Sequence, residues 1–231
     1  MNWYEYYGYA EDPFKVSGGP IDKAVNLNKP ASELLYNVEA GNMVVIEGGK
    51  GTGKTTLLSA VIEHFRGERK VVYFDCSKDD VDIKKLMQGK YGVIGRLFNL
   101  TPKGMVLLLD NFKGVSKKEM ERAKFFYDNN YIRSIVFTGT ASNLAENIAD
   151  RVGERIIKLK ALGVNDAVEL VKNRLGTLDF LSAKIVKKLH KKSKSDTVLF
   201  LENCSKACAA ATKAGDKLVK DSHLKGVNKS E

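Results

Sequence analysis

No stretch of this chain approaches the roughly 20 consecutive apolar residues that a membrane-spanning helix needs. The opening Met1-Asn2-Trp3-Tyr4-Glu5 has neither a basic leading segment nor an apolar run, so no secretory signal is expected. Cysteine is scarce. The three residues Cys76, Cys204 and Cys208 cannot all pair within one chain. Cys204 and Cys208 stand four apart in a predicted helix and read as small packing residues. With no Cys or His cluster beside them, a zinc site is not expected. Free thiols, no signal and no membrane span point to a cytoplasmic protein. No internal repeat is present.

What is present is ample apolar material and an uneven charge. At 231 residues and 43% apolar content, the chain can bury one large core, or a large domain and a small satellite. The net charge is +10, of which residues 178–231 carry +6. Such a basic tail suits a polyanion such as nucleic acid, or is a solvated lysine surface.

Residues Gly48-Gly49-Lys50-Gly51-Thr52-Gly53-Lys54-Thr55 read G-x-x-x-x-G-K-T, a phosphate-binding P-loop. An apolar run, Met43 to Ile46, precedes it, and a helix-like run opening at Thr56-Leu57-Leu58 follows. A strand, a tight glycine turn and a helix start are the context this chemistry requires. Successive amide N–H groups and the helix N-terminus supply positive potential to a polyphosphate. Lys54 is expected to reach the β- and γ-phosphates of ATP, and the Thr55 hydroxyl to bind Mg2+. Residues 48–56, closing with Thr56, form the expected nucleotide-binding segment.

Strand patterns recur at 43–47, 70–75, 105–110, 134–138 and 155–160, with helical patterns between them. Two short helical stretches, about 81–88 and 93–100, lie between the second and third strands. This alternation predicts an α/β P-loop NTPase fold with a five-stranded parallel sheet flanked by helices. The unbroken apolar runs of the first, third and fourth strands fit burial on both faces. After Ala161 the strand signal stops. Helical patterns at about 165–174, 182–192 and 197–213 and a short piece near 221–224 predict a small, basic, all-helical lid. The expected domains are therefore 1–161 and 162–231. Within the first, residues 1–40 carry Trp3, Tyr4, Tyr6, Tyr7, Tyr9 and Phe14, which would cover the adenine, pack on the core or stack on bases.

Asp110 closes the third strand after four apolar residues, where a carboxylate would hold Mg2+ beside Thr55. Asn111 follows it. An amide orients water but cannot take its proton. Asp75, ending the second strand, is a candidate substitute base or a strand cap. Thr138 and Thr140 compete to sense the γ-phosphate, or simply form a turn. Arg151 and Arg155 precede the fifth strand, where an arginine can reach a neighbouring subunit's γ-phosphate. Lys184, Lys187, Lys188, Lys191 and Lys192 share one face of a helix, either as a DNA-binding stripe or as a solvated face.

The order P-loop, Asp110, Thr138, paired arginines and helical lid resembles AAA+ ATPases. The tract Ala149 to Leu159, then Asn165 to Leu175, is similar to the initiator branch, which includes origin-recognition ATPases, DnaA, TnsC and ExeA-like proteins. The opening Tyr7-Gly8-Tyr9 and Asp12-Pro13-Phe14 resembles the start of the ExeA-like members. The resemblance implies an ATP-dependent switch on DNA, in replication initiation or helicase loading, that self-associates through its nucleotide site and works with a partner such as a helicase. Three departures accompany it. Asn111 stands where the family usually places glutamate. Ser195-Asp196-Thr197 lacks the lid arginine. No winged-helix module is expected after the lid. Slow hydrolysis is the consequence expected. A non-catalytic ATP-binding regulator and, more remotely, a P-loop phosphotransferase are the alternatives.

Overall fold

The computed structural model describes residues 2–16, 21–65, 71–78, 81–89, 103–177 and 179–227. The chain divides into two compact units. One comprises residues 29–48 and 54–159, the other 1–28, 49–53 and 160–231.

The first unit is built on a sheet of five strands: β1 (Met43–Glu47), β2 (Val71–Asp75), β3 (Met105–Asp110), β4 (Ile132–Thr138) and β5 (Ile156–Lys158). Their spatial order is β2-β3-β4-β1-β5, and every pairing is parallel. This is the α/β sheet expected from the sequence. The middle strands are buried except at Arg133 near the start of β4 and the half-buried Glu47 at the end of β1, because both faces are covered. Met43, Val45, Leu107, Leu109, Ile135 and Phe137 enter one cluster with helical residues Met120, Ala123, Phe126, Ile148 and Val152. The alternate residues Val44, Ile46, Val106, Leu108 and Val136 are buried as well.

The helices of this unit are α2 (Asn28–Glu39), α3 (Lys54–His64), α4 (Ile83–Gly89), α5 (Lys117–Asp128) and α6 (Glu146–Val152), α1 being the short turn Trp3–Tyr6 of the other unit. Ser116 starts α5 by accepting a hydrogen bond from the Glu119 amide, a standard N-cap. The helical stretch expected at about 93–100 lies outside the described residues. Register decides what the sheet presents. Asp75 lies opposite Asp110 and Ile46 opposite Thr138, so three polar strand ends gather at the edge where β1 runs into the P-loop.

The second unit is helical: α7 (Val164–Leu175), α8 (Ala183–Lys192), α9 (Thr197–Lys213) and a 3-10 turn, Asp221–Leu224. The sequence-based division placed residues 1–40 with the sheet, whereas residues 1–28 group with these helices. The reason is aromatic. Trp3 and Phe14 are buried against Leu170, Leu181, Phe200 and Cys204, and Tyr7 stacks on Phe180 with centroids 3.9 Å apart. The Trp3 indole donates to the Ser205 hydroxyl at 2.9 Å, and Ser205 donates to Asp12 at 2.6 Å. Cys204 and Cys208 are buried on α9 and serve as packing residues.

Candidate nucleotide-binding site

The loop after β1 turns on two glycines in the left-handed region, Gly51 (φ +77°) and Gly53 (φ +98°). A side chain at either would be strained and would also collide. A Cβ on Gly53 would lie 2.6 Å from Leu27, and one on Gly51 would lie 3.0 Å from the Thr197 amide nitrogen. Lys50 in the same loop pairs with Asp196 at 3.5 Å, and Asp196 also caps α9 by accepting from the Val198 and Leu199 amides.

Lys54 opens α3, and its ammonium donates to the Gly48 carbonyl at 2.8 Å. The side chain therefore folds back over the loop mouth, where a phosphate would lie. Burial lowers its pKa, and the charge of Asp110 opposes the shift. An anion arriving here would restore a preference for the charged form. Thr56 is half-buried in the first turn of α3.

Asp110 is 2% exposed and takes three hydroxyl donors. Thr55 donates to its Oδ2 at 2.9 Å, Tyr73 to the same oxygen at 3.1 Å, and Thr138 to Oδ1. The Asn111 amide N–H donates to the Thr138 hydroxyl oxygen at 2.9 Å, so strand ends β3 and β4 are locked together. Thr140, the other threonine weighed from sequence, is exposed. Tyr73 was not foreseen. The available signal was strand alternation, which puts it on the same face of β2 as Asp75. Burial and the neighbouring Asp110 push its phenol well above the usual range, so it stays a donor.

Asn111 sits at φ +55°, a conformation asparagine tolerates better than most residues. Its side-chain amide donates to Asp75 Oδ1 at 3.1 Å. Asp75 also accepts from the Ser77 hydroxyl and amide at 2.7 and 3.1 Å, and these bonds hold its carboxyl below the ordinary range. A carboxylate stabilised in this way is a weak base.

The residues fit a nucleotide with a magnesium ion. Within the sheet unit, the Lys54 ammonium supplies positive charge for phosphate, and the Thr55 hydroxyl and Asp110 carboxylate, 2.9 Å apart, are hard oxygen donors for the metal.

A family model described as an AAA domain matches residues 40–165, more than half of the chain. The chain belongs to the AAA family. No curated protein sequence matches this AAA chain. Among solved structures it is similar to the ORC2 protein of Aeropyrum pernix, with TM-score 0.72 and 12% identity, covering 94% of this chain and 70% of that one. The ORC1 protein of Aeropyrum pernix, solved in complex with DNA, gives TM-score 0.71 and 14% identity over 88% of this chain and 64% of that one. RuvB of Thermotoga maritima, a Holliday junction branch migration motor, gives TM-score 0.61 and 18% identity over 85% and 67%. At these identities the likeness is one of fold. The AAA domain thus has the architecture of initiator-type and related AAA+ ATPases.

In the AAA domain, Arg151 pairs with Asp128 at 3.1 Å and is half exposed, whereas Arg155 is spent on the carbonyls of Arg151 and Met43. The five lysines all lie on α8 in the helical unit. Lys184, Lys187 and Lys191 are exposed, Lys188 pairs with Asp221 at 2.6 Å, and Lys192 donates to the Leu224 carbonyl at 2.7 Å.

Proposed function

We propose that this protein is an ATP-dependent switch that acts on DNA and turns over slowly. The observation that carries the reading is the constellation of Lys54, Thr55, Asp110 and Thr138 at the P-loop edge of an AAA sheet. Lys54 would leave the Gly48 carbonyl for the β- and γ-phosphates. A bound magnesium ion would neutralise charge on the phosphates, held by the Thr55 hydroxyl and oriented by Asp110. Thr138, bonded to Asp110 and to the Asn111 amide, is placed to report a change at the γ-phosphate to the end of β3. Asn111 would orient water without accepting its proton, and Asp75 is too well satisfied to replace a glutamate as base. Hydrolysis is therefore slow, and bound ATP outlasts its chemistry. Arg151, more exposed than Arg155, is the better candidate for an arginine offered to a neighbouring copy, and ATP would favour self-association.

DNA as the partner is supported by the net charge of +10 and by the fold shared with a protein solved on DNA. Replication initiation or helicase loading, with a helicase as partner, is the process this reading favours. The test is DNA affinity measured by anisotropy without nucleotide, with ADP and with a non-hydrolysable ATP analogue. Affinity that changes with the nucleotide supports a switch, and equal affinity in all three contradicts it. The pairing of Asn111 with Asp75 also favours a second reading, a regulator that binds ATP and does not hydrolyse it. That reading predicts no phosphate release in any condition.

A further inference from the structure

The helical unit contains an open groove of about 630 Å³ between the last turns of α8 and the 3-10 turn at 221–224. Its lining is Lys188, Lys191, Lys192, Lys194 and Lys225, with Asp221 and Leu224. Sites for drug-like ligands are lined mostly by apolar and aromatic groups. Here the walls are largely the apolar stems of five lysines with Leu224, and the charges these residues carry are five ammonium groups against one carboxylate. Two of the five are fixed in place, Lys188 by Asp221 and Lys192 by the Leu224 carbonyl. The other three, Lys191, Lys194 and Lys225, are exposed and form no ion pair among the described residues.

The backbone adds a second observation. Lys194 and Ser195 both lie in the left-handed region, at φ +44° and +66°, a costly choice for two consecutive residues with side chains. The turn they form ends α8 and sets Lys194 beside the lysines of the helix. Nothing in the lining is aromatic, so bases have no ring to stack on.

We infer that this groove holds the sugar-phosphate backbone of DNA without reading its bases. The inference rests on the DNA reading above and deepens it by assigning the surface. A phosphodiester strand meets what the groove offers: several spaced cations, an open path and no aromatic ring for a base. Lys191, Lys194 and Lys225 supply the free charge, and Lys188 and Lys192 supply a preset rim.

The test compares two triple variants of the full chain with wild type, using duplex and single-stranded DNA of two sequences across a salt series. K191Q/K194Q/K225Q removes the free groove charges. K206Q/K213Q/K217Q removes the same charge from exposed positions of the same unit outside the groove. The expected loss is about one unit of the slope of log K against log salt per contacting lysine, so about three for the groove variant. The control variant keeps the wild-type slope, and both sequences bind alike. The thermal shift on adding ATP, equal in all three proteins, shows that each is folded. If the groove triple does not fold, K191Q and K225Q singly lose about one unit each. Equal slope loss in the two triples overturns the groove assignment and leaves the DNA reading standing. A wild type with no salt-dependent DNA binding overturns both. Binding of polyglutamate and not DNA assigns the groove to an acidic polypeptide and also overturns the inference.

Discussion

Asn111 donates its side-chain amide to Asp75 across the ends of two neighbouring strands, at 3.1 Å. The side-chain NH2 of Asn111 is thus engaged by the Asp75 carboxylate. Asn111→Glu adds a proton acceptor at this point and is expected to raise ATP turnover roughly a hundredfold, the low side of general-base contributions. It also costs about 1 kcal/mol in denaturant unfolding, since glutamate is less at ease at positive φ. Asn111→Gly keeps stability near wild type, and Asn111→Ala falls about 1 kcal/mol below Asn111→Gly. Turnover unchanged in Asn111→Glu would remove this residue from the chemistry.

Lys54→Ala is expected to abolish nucleotide binding and leave the fold intact. Wild-type protein at a nucleotide concentration 100 times Kd gains about 2.7 kcal/mol of stability. In a thermal melt that gain is expected in wild type and absent in Lys54→Ala, with unchanged melting of the two proteins without nucleotide. A full ATP shift in the variant would show that phosphates bind elsewhere.

The two arginines separate by readout. Arg151→Ala should lower ATP hydrolysis and ATP-driven assembly without weakening nucleotide binding, because the ion pair that Arg151 makes among the described residues is with Asp128 at the surface. Arg155→Ala should instead lower the melting temperature, because it strips donors from the Met43 and Arg151 carbonyls. Measuring melting temperature and phosphate release for both variants decides the assignment, and the reverse pattern would exchange the roles.

Burial pushes the Cys76 thiol up to about 11 and raises Cys204 and Cys208 as well. At pH 8 the native protein should therefore react slowly with an aromatic disulfide reagent, and the denatured protein should titrate three thiols promptly. The sign for stability follows. Between the ordinary value of 9 and about 11 the native state keeps a proton that the unfolded chain has lost, so stability falls as pH rises through that window. Fast labelling of the native protein at pH 8 would contradict this.

Much of the fold was legible because its strands are buried on both faces. Continuous apolar runs such as Met105 to Leu109 admit few other readings, and the P-loop marks where β1 must turn into a helix. Asp110 and Thr138 were legible as strand ends, and register brings them into contact. Three features were not legible. Tyr73 reaches Asp110 only because β2 pairs in the register that sets Asp75 opposite Asp110. The grouping of Trp3 and Phe14 with helices that begin at Val164 is a long-range packing choice that local pattern does not encode. The groove joins Lys194, on a turn with positive φ, and Lys225 from another segment to Lys188, Lys191 and Lys192, so the lysine periodicity of α8 alone marked only part of this surface.

Native mass measurement of the full chain with DNA, in the presence of ADP or of a non-hydrolysable ATP analogue, tests the central claim most directly. A nucleotide-dependent switch on DNA predicts DNA-bound assemblies of more than one copy with the ATP analogue, and mostly free monomer with ADP. The same mass distribution with both nucleotides would contradict it.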